Sequence, residues 1–152
     1  MTARMDLGAL APEAYKAMLR LDKFAGGSEL LPQPLVELIK LRASQINGCV
    51  YCVDMHSVDA RKAGETDVRL HGVAVWQDAP YFTEQERAAF ALTEAMTRLA
   101  DVSDRVPDDV WTLAGKHFDE PALAALVMAI VTINAWNRIC VTTRMVPESY
   151  AG

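Results

Sequence analysis

Period-two alternation of apolar and polar residues, the mark of a half-buried strand, is nearly absent from this chain, and β-branched residues are sparse before its last apolar stretch. A sheet is therefore not expected as the main architecture, and the chain reads as all-α. Positive charge is short as well: 15 Lys and Arg against 20 Asp and Glu leave a net charge of −5. That balance argues against a general nucleic-acid binder and against attraction to anionic membranes. The longest apolar run, residues 122–131, is too short for a bilayer and passes into Thr132 and Asn134. Residues 1–12 hold no apolar core of signal-peptide length, and no lipidation motif is present. Cysteine is limited to three, which cannot all pair within one chain. With no leader, a reducing, cytoplasmic setting is expected, where a Cys-x-x-C is more often catalytic or metal-binding than a structural staple. Internal repeats, low-complexity tracts and a second domain are not evident.

What is present suits one globular domain over residues 1–152. Apolar residues make up 51% and charged residues 23%, enough for a substantial core at this length. Pro12 starts a first helix, with Tyr15, Met18, Leu19 and Leu21 facing inward and Gly26-Gly27 ending it. After Pro32 and Pro34 comes a second helix with Leu35, Leu38, Ile39, Arg42 and Ile46 at roughly helical spacing. A helix bearing the cysteine pair follows, then a short one from Thr66-Asp67 through Leu70, Val73 and Ala74. Asp78-Ala79-Pro80 breaks the chain. Thr83 and Glu86 form a capping box that opens a helix with Ala88, Leu92, Ala95, Met96 and Leu99 on one stripe. Asp108-Asp109 begins another helix, with Val110, Trp111 and Leu113. Asp119-Glu120-Pro121 opens the last, to about Arg144; it is apolar nearly all round at first and is expected to be the central, most buried helix.

The chemistry gathers between Glu37 and Gly64. Cys49 and Cys52 are three apart, and His56 follows Cys52 by four, so all three fall on one stripe of a helix. Asn47 is a good N-cap after which both cysteines lie in the first turn, and Gly64 is a natural stop. Unpaired backbone N–H groups and the positive end of the helix dipole favour a thiolate there. A spacing of three brings the Cα atoms to about 5–6 Å, which suits a disulfide. An imidazole one turn beyond Cys52 can take or supply a proton near neutral pH. These features describe a reversible dithiol/disulfide with its own acid–base partner.

The same residues admit a second chemistry. Cys49, Cys52 and His56 could supply three zinc ligands, with Glu37, His71 or Cys140 as a fourth. No second Cys-x-x-C and no His-x-x-x-His completes a usual structural zinc site, so neither a resident metal nor a cofactor is expected. Covalent haem attachment is excluded by Val53, which stands where His is required. His71 and His117 share no register with the cysteines and read as structural or surface residues. Cys140 reads as a small packed apolar residue. Asn134, Trp136, Asn137 and Arg138 read as groups that hydrogen-bond neighbouring backbone or form a subunit contact. Glu37 alone reads as an ordinary helix glutamate.

Glu37 twelve residues before Cys49, then Cys49-x-x-Cys52, then His56 resembles the pattern of the alkylhydroperoxidase D-like group of the carboxymuconolactone decarboxylase family. Residues 44–52, 60–64, 82–87 and 133–138 are similar to it too, and the likeness covers about residues 30–144. The resemblance implies an all-helical fold that assembles as trimers or hexamers. It implies a thiol-dependent peroxidase in which Cys52 attacks a hydroperoxide, His56 and Glu37 relay the proton, and Cys49 resolves the sulfenic acid, an external dithiol or thiol protein being the reductant. It lifts Glu37 from surface residue to relay member. Some members carry a second His between the cysteines, where this chain has Tyr51. The decarboxylase branch lacks the cysteine pair, so decarboxylation matches poorly. One tension remains: the dipole favours Cys49 as the more acidic thiol, whereas the His56 register favours Cys52 as the attacker, which is the reading adopted. Beside it stand the zinc protein and a redox-sensing oligomeric module without turnover.

Overall fold

Pro12 has no N–H to lose and a φ preset for a helix, and it opens the first long helix. In a computed structural model of the chain, residues 2–27 and 29–150 are described; Met1, Ser28 and the last two residues of the expected 1–152 domain lie outside them. Among the described residues there are helices and no strands, so the fold is all-α as expected. The helices are α1 (Leu7–Leu10), α2 (Pro12–Gly26), α3 (Gln33–Asn47), α4 (Val50–Lys62), α5 (Asp67–Gly72), α6 (Glu84–Thr97), α7 (Asp108–His117) and α8 (Glu120–Thr143), with 3₁₀ turns at Val73–Val75 and Glu148–Tyr150. Local chemistry sets most starts: Asp6, Thr66, Thr83 and Asp119 cap α1, α5, α6 and α8 through side-chain oxygens, and Thr83 and Glu86 complete the capping box. The short α1 has no counterpart in the sequence reading.

Two helices make the interior. α8 is buried along much of its length, but it is not the most buried helix, as Val131 and Val141 are exposed. α3 shares that place: every residue from Leu35 to Ser44 is buried, where the sequence suggested a one-sided stripe. Its Leu38, Ile39 and Leu41 join Phe90 and Leu92 of α6 and Leu126 and Ile130 of α8 in the main core, each such side chain contributing about 1.5–3 kcal/mol of transfer free energy. Burying α3 all round also buries its charges, which is tolerable only if each is paired. Each is, and with a different helix: Lys40 with Asp22 of α2 at 3.0 Å, Arg42 with Glu94 of α6 at 2.6 Å, and Glu37 with His56 of α4 at 2.8 Å. Trp76 Nε1 also donates to Glu94, at 2.7 Å. α3 is thus the polar as well as the apolar hub of the domain.

Some expected core positions lie further out. Leu19 and Trp111 are half exposed, and Leu99 falls beyond the end of α6 and is exposed. By length and composition the stretch from Glu120 to Tyr150 could cross a bilayer, although its longest unbroken apolar run could not; half of the most apolar window is buried within the protein, as in a core helix. A second, smaller apolar cluster joins Ala43, Cys49, Cys52, Ile133 and Cys140, flanked by Tyr51, Trp136 and Met145. The reactive residues lie there.

Candidate active site

Two residues, Gly48 and Cys49, separate the two helices that build the site. Gly48 caps α3 in the left-handed region, at φ +66°, a conformation glycine adopts without steric cost. Cys49 is then the N-cap of α4: its backbone is extended, its N–H donates to Ser44 O at 3.0 Å, and its Sγ accepts from the Cys52 N–H at 3.4 Å. The expected cap, Asn47, instead ends α3. Its amide is engaged elsewhere, donating to Asn137 Oδ1 at 2.8 Å and Asn134 Oδ1 at 3.0 Å. Asn137 in turn donates to Ser44 Oγ at 3.0 Å, and Ser44 to Lys40 O at 2.7 Å. This run of amides and a hydroxyl ties the α3–α4 corner to α8. Asn137 and Asn134 therefore bond side chains across helices, and the backbone contacts suggested by the sequence are present too: Asn134 donates to Ile130 O at 3.0 Å and Arg138 to Asn134 O at 2.8 Å.

The corner brings three sulfurs together. Cys49 Sγ and Cys52 Sγ are 2.8 Å apart, both as free thiols and each 1% exposed. Cys140 Sγ arrives from α8, and the three sulfurs lie within 4.8 Å of one another. The pair is electrostatically split. Hydrogen bonds from Cys140 and then Cys52, helped by the Cys52 N–H, hold Cys49 down to about 3 against burial. For Cys52 the Cys140 thiol lowers the value, but the hydrogen bond to Cys49, burial and the Cys49 charge outweigh it and push it up to about 12. Cys140 is pushed upward by Cys49, Cys52 and burial. The proton held between the thiols thus leaves the negative charge on Cys49, at the helix start.

His56 stands one turn further along α4. Its Nδ1 lies 2.8 Å from Glu37 Oε2, and Gln33 Nε2 donates to Glu37 Oε1 at 2.6 Å. Both carboxylate oxygens are therefore occupied. An ionised carboxylate only accepts, so Nδ1 carries a proton and Nε2 is the basic nitrogen. Nε2 is buried without a hydrogen-bond partner among the described residues. Gln33 escaped the sequence reading; its position four before Glu37, on the same helical face, is the one signal that pointed to it.

A cavity of about 120 Å³ has Cys52, His56 and Cys140 in its wall. Tyr15, Leu19, Tyr51, Met55, Trp136 and Met145 make the rest of the wall largely apolar, and Asp22 also lines it. Tyr15 and Trp136 meet edge to face, centroids 5.3 Å apart. Burial first, then the Glu148 charge, keeps the Tyr51 phenol above its ordinary range, hence protonated and a hydrogen-bond donor at neutral pH. A second cavity, about 130 Å³, is lined by Cys49, Cys140, Tyr51 and Arg144.

The fold thus brings Glu37, Cys49, Cys52 and His56 to one place. His71 is exposed on α5 and His117 lies at the end of α7, both apart from the site. The third sulfur, Cys140, is packed as expected but is also a member of the thiol group. Among the described residues, the cluster with metal-competent spacing is that group of three cysteines; His56, the third ligand of the zinc reading, lies outside it, with Nδ1 on Glu37 and Nε2 without a partner.

With this geometry in view, the likenesses to known proteins carry weight. A profile of the carboxymuconolactone decarboxylase family matches residues 12–95. The Bacillus subtilis protein YdfG, itself uncharacterised, is 39% identical over 141 residues, 93% of this chain and 94% of that one. The crystal structure of ATU0492 from Agrobacterium tumefaciens, a protein of unknown function provisionally assigned to antioxidant defence as AhpD, has a TM-score of 0.90 at 37% identity, covering 96% of this chain and 98% of that one. The debrominase Bmp8, solved with 2,3,4-tribromopyrrole, has a TM-score of 0.79 at 19% identity, covering 93% of this chain and 74% of that one; at that identity it shares the fold.

Proposed function

The chain belongs to the carboxymuconolactone decarboxylase family as an alkylhydroperoxidase D-like protein, and from that premise we propose that it is a thiol-dependent peroxidase reducing organic hydroperoxides through Cys52 and Cys49. The observation that carries this reading is that Cys52 and His56 share one cavity wall while Glu37 ties down the far nitrogen of the imidazole. Cys52 rests as a thiol because Cys49 holds the charge, so its attack requires a base, and His56 Nε2 is the nitrogen left for that task. The Cys52 sulfur attacks the terminal oxygen of the hydroperoxide, the O–O bond breaks, and the proton returns from His56 to the departing alkoxide as an alcohol. Cys52 is left as a sulfenic acid. Cys49, whose sulfur stands 2.8 Å from that of Cys52, attacks as a thiolate. The S–O bond breaks, hydroxide takes a proton and leaves as water, and an external dithiol reduces the disulfide.

On this reading the two thiols divide the work: the acidic one at the helix start resolves, and the one served by the imidazole attacks. The aromatic and methionine wall supports an apolar tail on the peroxide. Exposed apolar side chains such as Phe24, Val68, Trp111 and Val131 support assembly with further copies of the chain, as the trimer or hexamer expected from the resemblance, and a reducing, cytoplasmic setting suits a cycle that needs free thiols. The test is hydroperoxide consumption with a dithiol donor. Cys52→Ser is expected to abolish it, and Cys49→Ser, which removes the adjacent resolving thiol, to slow multiple turnover. Undiminished turnover in both variants would sink the proposal.

A further inference from the structure

The position of Cys140 is not used by the mechanism above, and it lies beyond residues 12–95, the stretch that the family profile matches. It is buried on α8, with its sulfur in the same group as those of Cys49 and Cys52, all within 4.8 Å. Besides the sulfurs of Cys49 and Cys52, its thiol meets Met145 Sδ at 3.4 Å, a weak acceptor that commits it to little. Cys140 also forms part of the wall of both cavities. In the first it stands beside Cys52 and His56 with Cys49 outside the lining, and in the second it stands beside Cys49 with Cys52 outside. It therefore flanks the reactive sulfur on the side where a peroxide oxygen would be delivered.

We propose that Cys140 is a second resolving thiol: when Cys49 is engaged or absent, Cys140 captures oxidised Cys52 as a Cys52–Cys140 disulfide that bridges α4 and α8. A change of χ1 swings a sulfur by about 3 Å, enough to close the gap to disulfide length. The peroxide step balances simply. The Cys140 thiol attacks the Cys52 sulfenic sulfur, an S–S bond forms as the S–O bond breaks, and hydroxide leaves with the thiol proton as water. An exchange step balances as well: Cys140 displaces a leaving thiolate from any mixed disulfide on Cys52. The two disulfides differ in consequence. Cys49–Cys52 closes within one turn at the start of α4, whereas Cys52–Cys140 joins two helices across the first cavity and shields Cys52 from further oxidation to sulfinic acid.

The peroxide step rests on the proposed peroxidase reading; the exchange step does not, so the two are tested apart. Cys49→Ser keeps a side-chain oxygen at the N-cap and is expected to fold. Treated with excess Ellman's reagent, Cys49→Ser should release two thionitrobenzoates per chain, retain none by mass, and give a peptide linking Cys52 to Cys140. Cys49→Ser/Cys140→Ala should release one and keep a stable adduct on Cys52. Cys140 still alkylatable as a free thiol after this treatment of Cys49→Ser, with or without an adduct on Cys52, overturns the proposal. In a second arm Cys49→Ser receives one equivalent of cumene hydroperoxide. The same crosslinked peptide supports both readings; a crosslink with Ellman's reagent and none with the hydroperoxide leaves the second resolving thiol standing and removes the peroxidase.

Discussion

Glu37 and His56, nineteen residues apart and 5% and 4% exposed, meet through Oε2 and Nδ1 at 2.8 Å. The contact fixes the ring, selects its tautomer and leaves Nε2 as the basic nitrogen on a residue that lines the cavity with Cys52. It also joins the site to the centre of the fold, because Glu37 belongs to α3, the helix whose buried charges reach α2, α4 and α6.

Glu37→Gln tests the tautomer directly. The amide has nearly the same shape, so packing is kept, but its NH₂ can face Nδ1 and move the ring proton to Nε2. A base that already holds its proton cannot deprotonate Cys52. On the proposed function, kcat/KM for hydroperoxide should fall by about 10²–10⁴-fold, with the melting temperature changed far less. Gln33→Ala, which frees one carboxylate oxygen but keeps the charge, should give a smaller loss. Equal losses in the two variants would mean that the carboxylate merely fills space.

The split between the thiols gives a pH signature. Cys49 is held down to about 3, below its ordinary value of 9, and Cys52 is pushed up to about 12. Thiolate absorbance near 240 nm of the reduced protein should therefore show one thiolate per chain across neutral pH and a second only in strong base. The stability terms follow by linkage. Between about 3 and 9 the unfolded chain binds the Cys49 proton and the folded chain does not, so that contribution is complete above about 9 and is lost as pH falls toward 3. Cys52 works the other way: its contribution is present below about 9 and is lost as pH rises toward 12. Denaturant midpoints of the reduced protein and of each Cys→Ser variant, measured against pH, check both signs.

Much of this arrangement was legible in the sequence wherever the cause is short-range. Pro12, the Thr83/Glu86 capping box and Asp119 marked true helix starts, and the spacing of Cys49, Cys52 and His56 marked one stripe of α4. What was not legible is set by partners far along the chain. Lys40 looks like a solvated helix charge, and Arg42 like one more member of the helical stripe, until Asp22 and Glu94 come from other helices to pair with them. Glu37 was found by resemblance and not by its own surroundings. Cys140 has no spacing that relates it to the Cys-x-x-C; only the packing of α8 on the α3–α4 corner does so. Asn47 misled because its propensity as a cap is real but lost to tertiary bonds with Asn134 and Asn137, and a two-residue junction left Cys49 to cap α4.

Asn137 is where that corner is most exposed to mutation. Its amide accepts from Asn47 and donates to Ser44, it is 1% exposed, and its hydrogen bonds also lower Cys49 and Cys52. Asn137→Ala should cost about 2–4 kcal/mol through unsatisfied partners and the space left behind. It should also shift the Cys49 thiolate transition to higher pH. Asn134→Ala, at a half-buried position whose amide is not among the groups acting on the thiols, should cost less and leave that transition in place. Urea unfolding together with the absorbance titration separates the two variants.

The Arg42–Glu94 pair makes the opposite kind of test, a structural contact remote from the chemistry. Arg42 meets Glu94 at 2.6 Å with both side chains largely buried, and Trp76 Nε1 shares the same carboxylate. Removing one partner leaves a charge with little water around it, so Arg42→Met should lose about 3 kcal/mol of stability. Glu94→Gln strands the guanidinium in turn, although the amide oxygen can still accept from Trp76, so its loss should be the smaller of the two. Replacing both with Met and Gln removes the stranded charge, and the double variant should be more stable than the sum of the single losses allows, giving a coupling energy of about 1–3 kcal/mol in a double-mutant cycle. Hydroperoxide turnover per folded molecule should be unchanged in all three. Strictly additive losses would mean that α3 is held to α6 by apolar packing alone, with the ion pair merely accommodated beside it.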